Sequence, residues 1–197
     1  MNKFPDFLES SADEVAKKLL GCELERQLDG DTIRVRIVET EAYDQDDEAS
    51  HAFGGKRKRN ATMFGPAGNL YVYFTYGMHY CCNIVAGHEG YGAGALIRAV
   101  EPVAGVEIIE RNRSMTGFSA TNGPAKLTQA LGIDLLMNGH DLRQKPLRLF
   151  AGVLRREEVI DSSPRVGISK ATSRQRRYFI KDNPYVSNVP KKMNWLI

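Results

Sequence analysis

The chain is short of cysteine and of long apolar runs, and each shortage removes a class of function. There are three cysteines in 197 residues. Cys81 and Cys82 are adjacent, Cys22 stands apart, and no C-x-x-C pair occurs, which excludes a disulfide framework and a cysteine zinc site. The thiols read as plain buried side chains of a protein in a reducing cytoplasm. No apolar run approaches the roughly 20 residues that cross a bilayer, so no membrane partner is expected. The N-terminal stretch Met1-Asn2-Lys3-Phe4-Pro5-Asp6 lacks the apolar core of a signal peptide. His51 and His79 do not stand at H-x-x-x-H or H-E-x-x-H spacing, so no metal is expected. The glycines from Gly90 to Gly94 are not followed by a phosphate-binding G-x-x-x-x-G-K-[S/T], and no G-x-S-x-G elbow occurs. No cofactor is expected. No internal repeat or Pro/Gly/Ser linker divides the chain, so residues 1–197 read as a single domain.

What is present is an ordinary globular composition, 26% charged and 42% hydrophobic, with an uneven charge distribution. The net charge is only +3. Residues 1–120 hold 13 Lys/Arg and 18 Asp/Glu, a net of −5, whereas residues 121–197 hold 14 and 6, a net of +8. The first part still carries its own basic run, Lys56-Arg57-Lys58-Arg59. A basic half and a basic loop suit a polyanion, nucleic acid above all. A solvated basic face without a partner is the alternative.

Local signals place the elements. Ser11-Ala12-Asp13-Glu14 is a capping-box pattern, opening a helix through Val15, Leu19 and Leu20 that stops at Gly21. A hairpin follows, from Cys22 to Gln27, through an Asp29-Gly30 turn, and from Thr32 to Thr40. The acidic run Asp44-Gln45-Asp46-Asp47-Glu48 and the stretch to Asn60 read as a long loop, of the kind that is functional or disordered. Strands are expected over Asn69–Tyr76, Tyr80–Ala86 and Ala95–Val100, the first two joined at Gly77. A helix is expected over Gly105–Arg113. Another has Asn122 as its cap, Pro124 in its first turn and an end near Gly132. The remainder alternates short strands with loops. The fold class is α+β, a single domain with a mainly antiparallel, curved sheet and surrounding helices.

Arg36-Ile37-Val38-Glu39-Thr40-Glu41-Ala42-Tyr43 is the most informative segment. Strand alternation puts Glu39, Glu41 and Tyr43 on one face and Val38, Thr40 and Ala42 on the other. A carboxylate beside an aromatic ring can handle a proton or a water while the ring stacks on a flat substrate. A surface strand with solvated glutamates is the alternative. Leu70-Tyr71-Val72-Tyr73-Phe74-Thr75-Tyr76-Gly77-Met78-His79-Tyr80 concentrates aromatics that could form a stacking platform or a wedge. A sheet whose two faces are simply both covered is the alternative. Arg98, amid apolar residues in a strand, needs a carboxylate partner, and Glu41 would serve.

Six motifs then occur in order: R-I-V-E-T-E-A-Y; H-A-F-G-G with its basic run; M-F-G-P at Met63 to Pro66; L-Y-V-Y-F-T-Y-G-M-H-Y-C-C-N; L-I-R-A-V-E-P; and N-G-P-A-K-L. Together they closely resemble the alkyladenine (3-methyladenine) DNA glycosylase family, in a compact, bacterial-type form. The resemblance runs from the N-terminal helix to P-Y-V-S near the end. It implies a base-excision repair enzyme that binds double-stranded DNA containing damaged purines. The lesions implied are of the 3-methyladenine, 7-methylguanine, hypoxanthine and ethenoadenine class. Such an enzyme flips the base and hydrolyses its N-glycosidic bond with water, without lyase activity. By the same resemblance Glu41 activates the water and Arg98 helps to hold it. Tyr43, His51 and Tyr73 enclose the base, and Asn83 crowds the exocyclic amine of guanine. Tyr76 enters the minor groove with Met78 beside it. Arg57, Arg59, Asn60 and Lys126 are the residues expected at the DNA backbone. A monomer at the bacterial nucleoid, without an obligate protein partner, is expected. A non-catalytic binder of damaged or unpaired purines is the alternative.

Overall fold

A computed structural model describes residues 3–75 and 77–187. Its centre is β2 (Asp31–Asp44), a strand long enough to serve two neighbours on one edge. β1 (Glu23–Leu28) pairs antiparallel with its first half, and β8 (Arg177–Ile180) with Glu39 to Glu41 of its second. The opposite edge is occupied by β5 (Ala93–Ala104). β4 (His79–Val85) and β3 (Leu70–Thr75) extend the sheet beyond β5. β6 (Leu147–Phe150) extends it beyond β1, and β7 (Ile160–Ser163) pairs with β8. Every pairing is antiparallel, and the sheet curls, as the α+β expectation requires.

The curl has a local cause. Ile37 pairs with Val100 and Glu39 with Ala99, so Val38 is an extra residue on β2. One step later Glu39 pairs with Ala99 but Thr40 with Ile97, so Arg98 is an extra residue on β5. Bulges of this kind bend a strand and re-aim its side chains. Here Ile37 and Val38 both enter the core, and the alternation resumes in step from Glu39 onward.

One face of the sheet is apolar, with Val38, Ala42, Leu70, Val72, Cys82, Ile84, Ala95, Ile97 and Ala99 in a continuous core. It packs on three short helices, α1 (Ala12–Lys18), α2 (Val106–Arg113) and α3 (Pro124–Ala130). The capping box reads half as expected: the Ser11 side chain accepts from Glu14 N at 3.4 Å. Thr40 Oγ1 donates to the Ala16 carbonyl of α1 at 2.7 Å, so the one polar side chain that β2 sends to this face between Val38 and Ala42 is satisfied. The Asp29-Gly30 turn has positive φ at both residues, 50° and 90°, as the sequence leads one to expect of a tight hairpin. Asn122 is not the cap of α3. That position belongs to Gly123, and the Asn122 amide oxygen instead accepts from Lys126 Nζ at 2.6 Å. Among the described residues no helix is long and apolar enough to cross a membrane.

Candidate active site

The other face of the sheet carries the polar and aromatic residues. The alternation that sends Val38, Thr40 and Ala42 into the core presents Glu39, Glu41 and Tyr43 here. β5 adds Leu96 and Arg98, β4 adds Cys81 and Asn83, and β3 adds Tyr71, Tyr73 and Thr75. Most of them line one cavity of about 570 Å³, within the range of sites that hold small organic ligands. Its other walls come from Glu48, Ala49 and His51 of the loop after β2 and from residues 166–170, ahead of β8.

Glu41 lies on the floor of this cavity and is fully buried. Its Oε1 accepts from the Val166 backbone N–H at 2.8 Å and faces Arg98 Nη1 at 3.2 Å. Its Oε2 accepts from the Tyr43 hydroxyl at 2.8 Å. All three partners are donors, an arrangement suited to a carboxylate anion. Arg98 is therefore not a solvent-facing strand residue. Its Nε donates to Glu39 at 2.7 Å, closer than its approach to Glu41.

The aromatic groups form a wall. His51 and Tyr73 have ring centroids 4.5 Å apart in an edge-on arrangement, and Tyr71 stacks on Tyr73 at 5.6 Å. His51 Nδ1 lies 3.1 Å from the Tyr71 hydroxyl, which fixes the ring plane. Partial burial, with Arg59 nearby, lowers the His51 pKa, which favours the neutral ring. Burial also raises the pKa of Tyr43 and Tyr73, and both hydroxyls keep their protons. Tyr43 faces them from β2, with the Arg165 guanidinium 4.5 Å from its ring centre. Asn83 is 4% exposed, and its Nδ2 has no hydrogen-bond partner among the described residues. It stands in the cavity wall as an unused donor.

The loop over Asp44 to Phe64 is ordered by buried charge. Asp47 takes Arg165 at 2.5 Å and Arg176 at 3.0 Å. Arg176 also holds Asp13 of α1 and Asp44, both at 2.6 Å. This network ties the loop to the segment that delivers Val166. Asn60, fully buried, closes the far end, accepting from Arg57 N at 2.6 Å and donating to the His51 carbonyl at 2.7 Å. Its amide is engaged inside the loop and does not reach the surface, where Arg57 and Arg59 are exposed. Lys126 is half-buried and donates to Asn122. Met78, past Gly77 (φ +69°), is 71% exposed at the β3–β4 hairpin. The wedge expected at Tyr76 lies outside the described residues.

The structure thus brings Glu41, Arg98, Tyr43, His51, Tyr73 and Asn83 to one cavity and leaves Arg57, Arg59, Lys126 and Met78 outside its lining. It adds the Val166 N–H and Lys170, which strand periodicity does not mark, and Cys81, which shares a face of β4 with Asn83. Val166 is reached only through a contact 125 residues away in sequence, and a backbone N–H carries no side-chain signature. Among the described residues no group of three His, Cys, Asp or Glu side chains is placed to hold a metal ion.

Comparison with known proteins gives a consistent result. The family model described as methylpurine-DNA glycosylase matches residues 6–184. A protein of Carboxydothermus hydrogenoformans is 50% identical over 175 residues, 88% of this chain and 92% of its own. One of Francisella tularensis is 45% identical over 191 residues, 95% and 99% of the two chains. One of Methanoculleus marisnigri is 44% identical over 186 residues, 92% and 96%. All three are provisionally named 3-methyladenine DNA glycosylase.

Proposed function

The chain belongs to the methylpurine-DNA glycosylase family, and on that premise we propose how its site removes a base. The protein is a DNA glycosylase, a hydrolase of DNA repair. Its substrate is an alkylated or deaminated purine, of the 3-methyladenine, 7-methylguanine, hypoxanthine and ethenoadenine class, in duplex DNA. A base within the stack is out of reach of Glu41, so the nucleotide is extruded, at a cost of about a few kcal/mol. Tyr76, with Met78 beside it, fills the gap in the minor groove and offsets part of that cost. The base enters between Tyr43 and the His51–Tyr73 pair. A methylated purine carries positive charge, and the ring faces attract it.

Glu41 takes a proton from a water as the water oxygen bonds to C1′. The C1′–N9 bond breaks, and its electron pair leaves with the base. Positive charge develops on the sugar on the way, and the Glu41 carboxylate stabilises it. A cationic purine departs neutral and needs no acid. Arg98 holds the carboxylate and the water in place. The nucleophile is water, so an abasic site remains and the strand is not nicked. Asn83 projects its amide toward the base edge and crowds the exocyclic amine of guanine. Arg57 and Arg59, with Lys126 and the rim residue Lys170, meet phosphates, which makes binding weaken as salt rises.

The observation that carries this reading is a fully buried carboxylate, with donors on both oxygens, at the floor of an aromatic cavity. Glu41→Gln keeps the shape and removes the base. It is expected to bind alkylated duplex DNA like the parent but to release no purine and leave no alkali-labile site. Normal release by that variant refutes the assignment. If the parent itself binds and releases nothing, the protein is a binder of damaged purines.

A further inference from the structure

Two features have no task in the reaction above: Glu39, and the Pro184-Tyr185-Val186-Ser187 segment. They meet in the structure. Glu39 is fully buried and its carboxylate takes four hydrogen bonds, from Arg98 Nε and Arg177 Nε at 2.7 Å, Ser187 N at 2.6 Å and Ser187 Oγ at 2.7 Å. Ser187 Oγ also lies 3.4 Å from Arg98 Nη2, and the Ser187 carbonyl accepts from Arg177 Nη2 at 3.1 Å. The Arg177 Nη1 donates to Ser163 Oγ at 2.9 Å. Glu39, Arg177 and Ser187 thus enclose the side of Arg98 that faces away from Glu41.

The geometry of guanidinium gives this enclosure a consequence. The group is planar and rigid, so fixing two of its nitrogens fixes the third. With Nε on Glu39 and Nη2 near Ser187, only Nη1 is left for Glu41, at 3.2 Å. An arginine free to turn would close a two-pronged pair on Glu41 and occupy both carboxylate oxygens. Such a pair would displace the Tyr43 hydroxyl and the water from Oε2. Charge also balances: Glu39 and Glu41 face Arg98 and Arg177 in a buried site where an excess of either sign is costly.

We infer that Glu39 and Ser187 are positioning residues for the glycosylase reaction, holding Arg98 to a single-pronged contact on Oε1 so that Glu41 Oε2, beside the Tyr43 hydroxyl it accepts, keeps a lone pair for water. The inference rests on the reading of Glu41 as the base, and the experiment separates the two. Single-turnover release of purines from dimethyl sulfate-treated duplex DNA is measured for the parent, Glu39→Gln, Ser187→Ala and Ser187→Thr. The first two are then repeated in an Arg98→Ala background. Misplacing a reacting group by an ångström costs on the order of 10²-fold, so Glu39→Gln should slow release by about that factor. Ser187→Ala should slow it less, and Ser187→Thr, which keeps the hydroxyl, should recover. Binding of the treated duplex should hold throughout.

In the Arg98→Ala background both substitutions should cost little more, because a residue acting through Arg98 has nothing left to hold. A merely structural role predicts the same fold-loss in both backgrounds, together with lost binding and a lowered Tm. That result overturns the inference, as does an unchanged rate in Ser187→Ala. The serine variants decide the matter even if Glu39→Gln does not fold. No release by the parent overturns the underlying reaction as well, whereas release at the parent's rate by every single variant overturns the positioning alone.

Discussion

Asn83→Val should make this protein more stable and less selective at once. Asn83 sits on β4, opposite Tyr71 and Leu96 of its neighbouring strands, and is 4% exposed. Its Nδ2 has no partner among the described residues. A buried donor left unpaired costs about 1–3 kcal/mol. Valine deletes the donor, is branched at Cβ as strands favour, and is shorter toward the cavity. The lost contacts of the amide offset part of the gain, leaving a net of about 1–2 kcal/mol. For a chain of this size that is a rise in Tm of roughly 2–8 °C. Differential scanning calorimetry of the free protein measures it. The same variant, given alkylated and undamaged duplex DNA, should release guanine-type bases faster relative to adenine-type ones, as read by chromatography of the free bases. A fall in Tm of similar size would show that the amide is paired in solution and refute the argument. A rise in Tm with unchanged base preference would refute only the crowding role.

Two further outcomes follow from the charge network. Asp47→Ala strips Arg165 and Arg176 of the carboxylate they share in the interior, and an uncompensated buried charge costs about 3–5 kcal/mol; a loss below about 1 kcal/mol in urea unfolding would show that the loop is held by other means. Stability should also depend on pH in two steps. Burial and Arg59 hold His51 below its ordinary 6.5, so its contribution is complete above that pH and is lost as pH falls toward the folded value. Burial would raise Glu39 and Asp47, but Arg98 and Arg177 lower the first, and Arg165 and Arg176 lower the second. Their contributions are complete above the ordinary values of 4.5 and 3.8 and are lost below them. Tm should therefore be flat above pH 6.5, decline gently to about 4.5, and drop steeply further down. A Tm that rises toward pH 4 contradicts the assigned pairs.

The legibility of the site follows the strands. Alternation along β2 separates Glu39, Glu41 and Tyr43 from Val38, Thr40 and Ala42, and it holds because the extra residue on β2 is Val38 itself, whereas the next irregularity puts its extra residue, Arg98, on β5. The same rule places Tyr71 and Tyr73 together on β3. An asparagine before Gly-Pro satisfies a local preference for a helix cap, yet the Asn122 side chain accepts from Lys126 and Gly123 takes the cap position. Asn60, which the family resemblance places at the DNA backbone, has its amide drawn inward by the backbone groups of its own loop. Local patterning cannot register such contacts, since each partner is an ordinary carbonyl or amide.

The α+β class, the two faces of the central strands and, through six ordered motifs, the family are all written in the order of the residues. These depend on short-range periodicity and on the identity of residues. Tertiary structure alone decided which charges meet. Glu39 joins Arg177 across 138 positions and Ser187 across 148, and Val166 reaches Glu41 across 125. A buried carboxylate takes whichever donors the fold delivers to it, and the curl of the sheet around β2 delivers these.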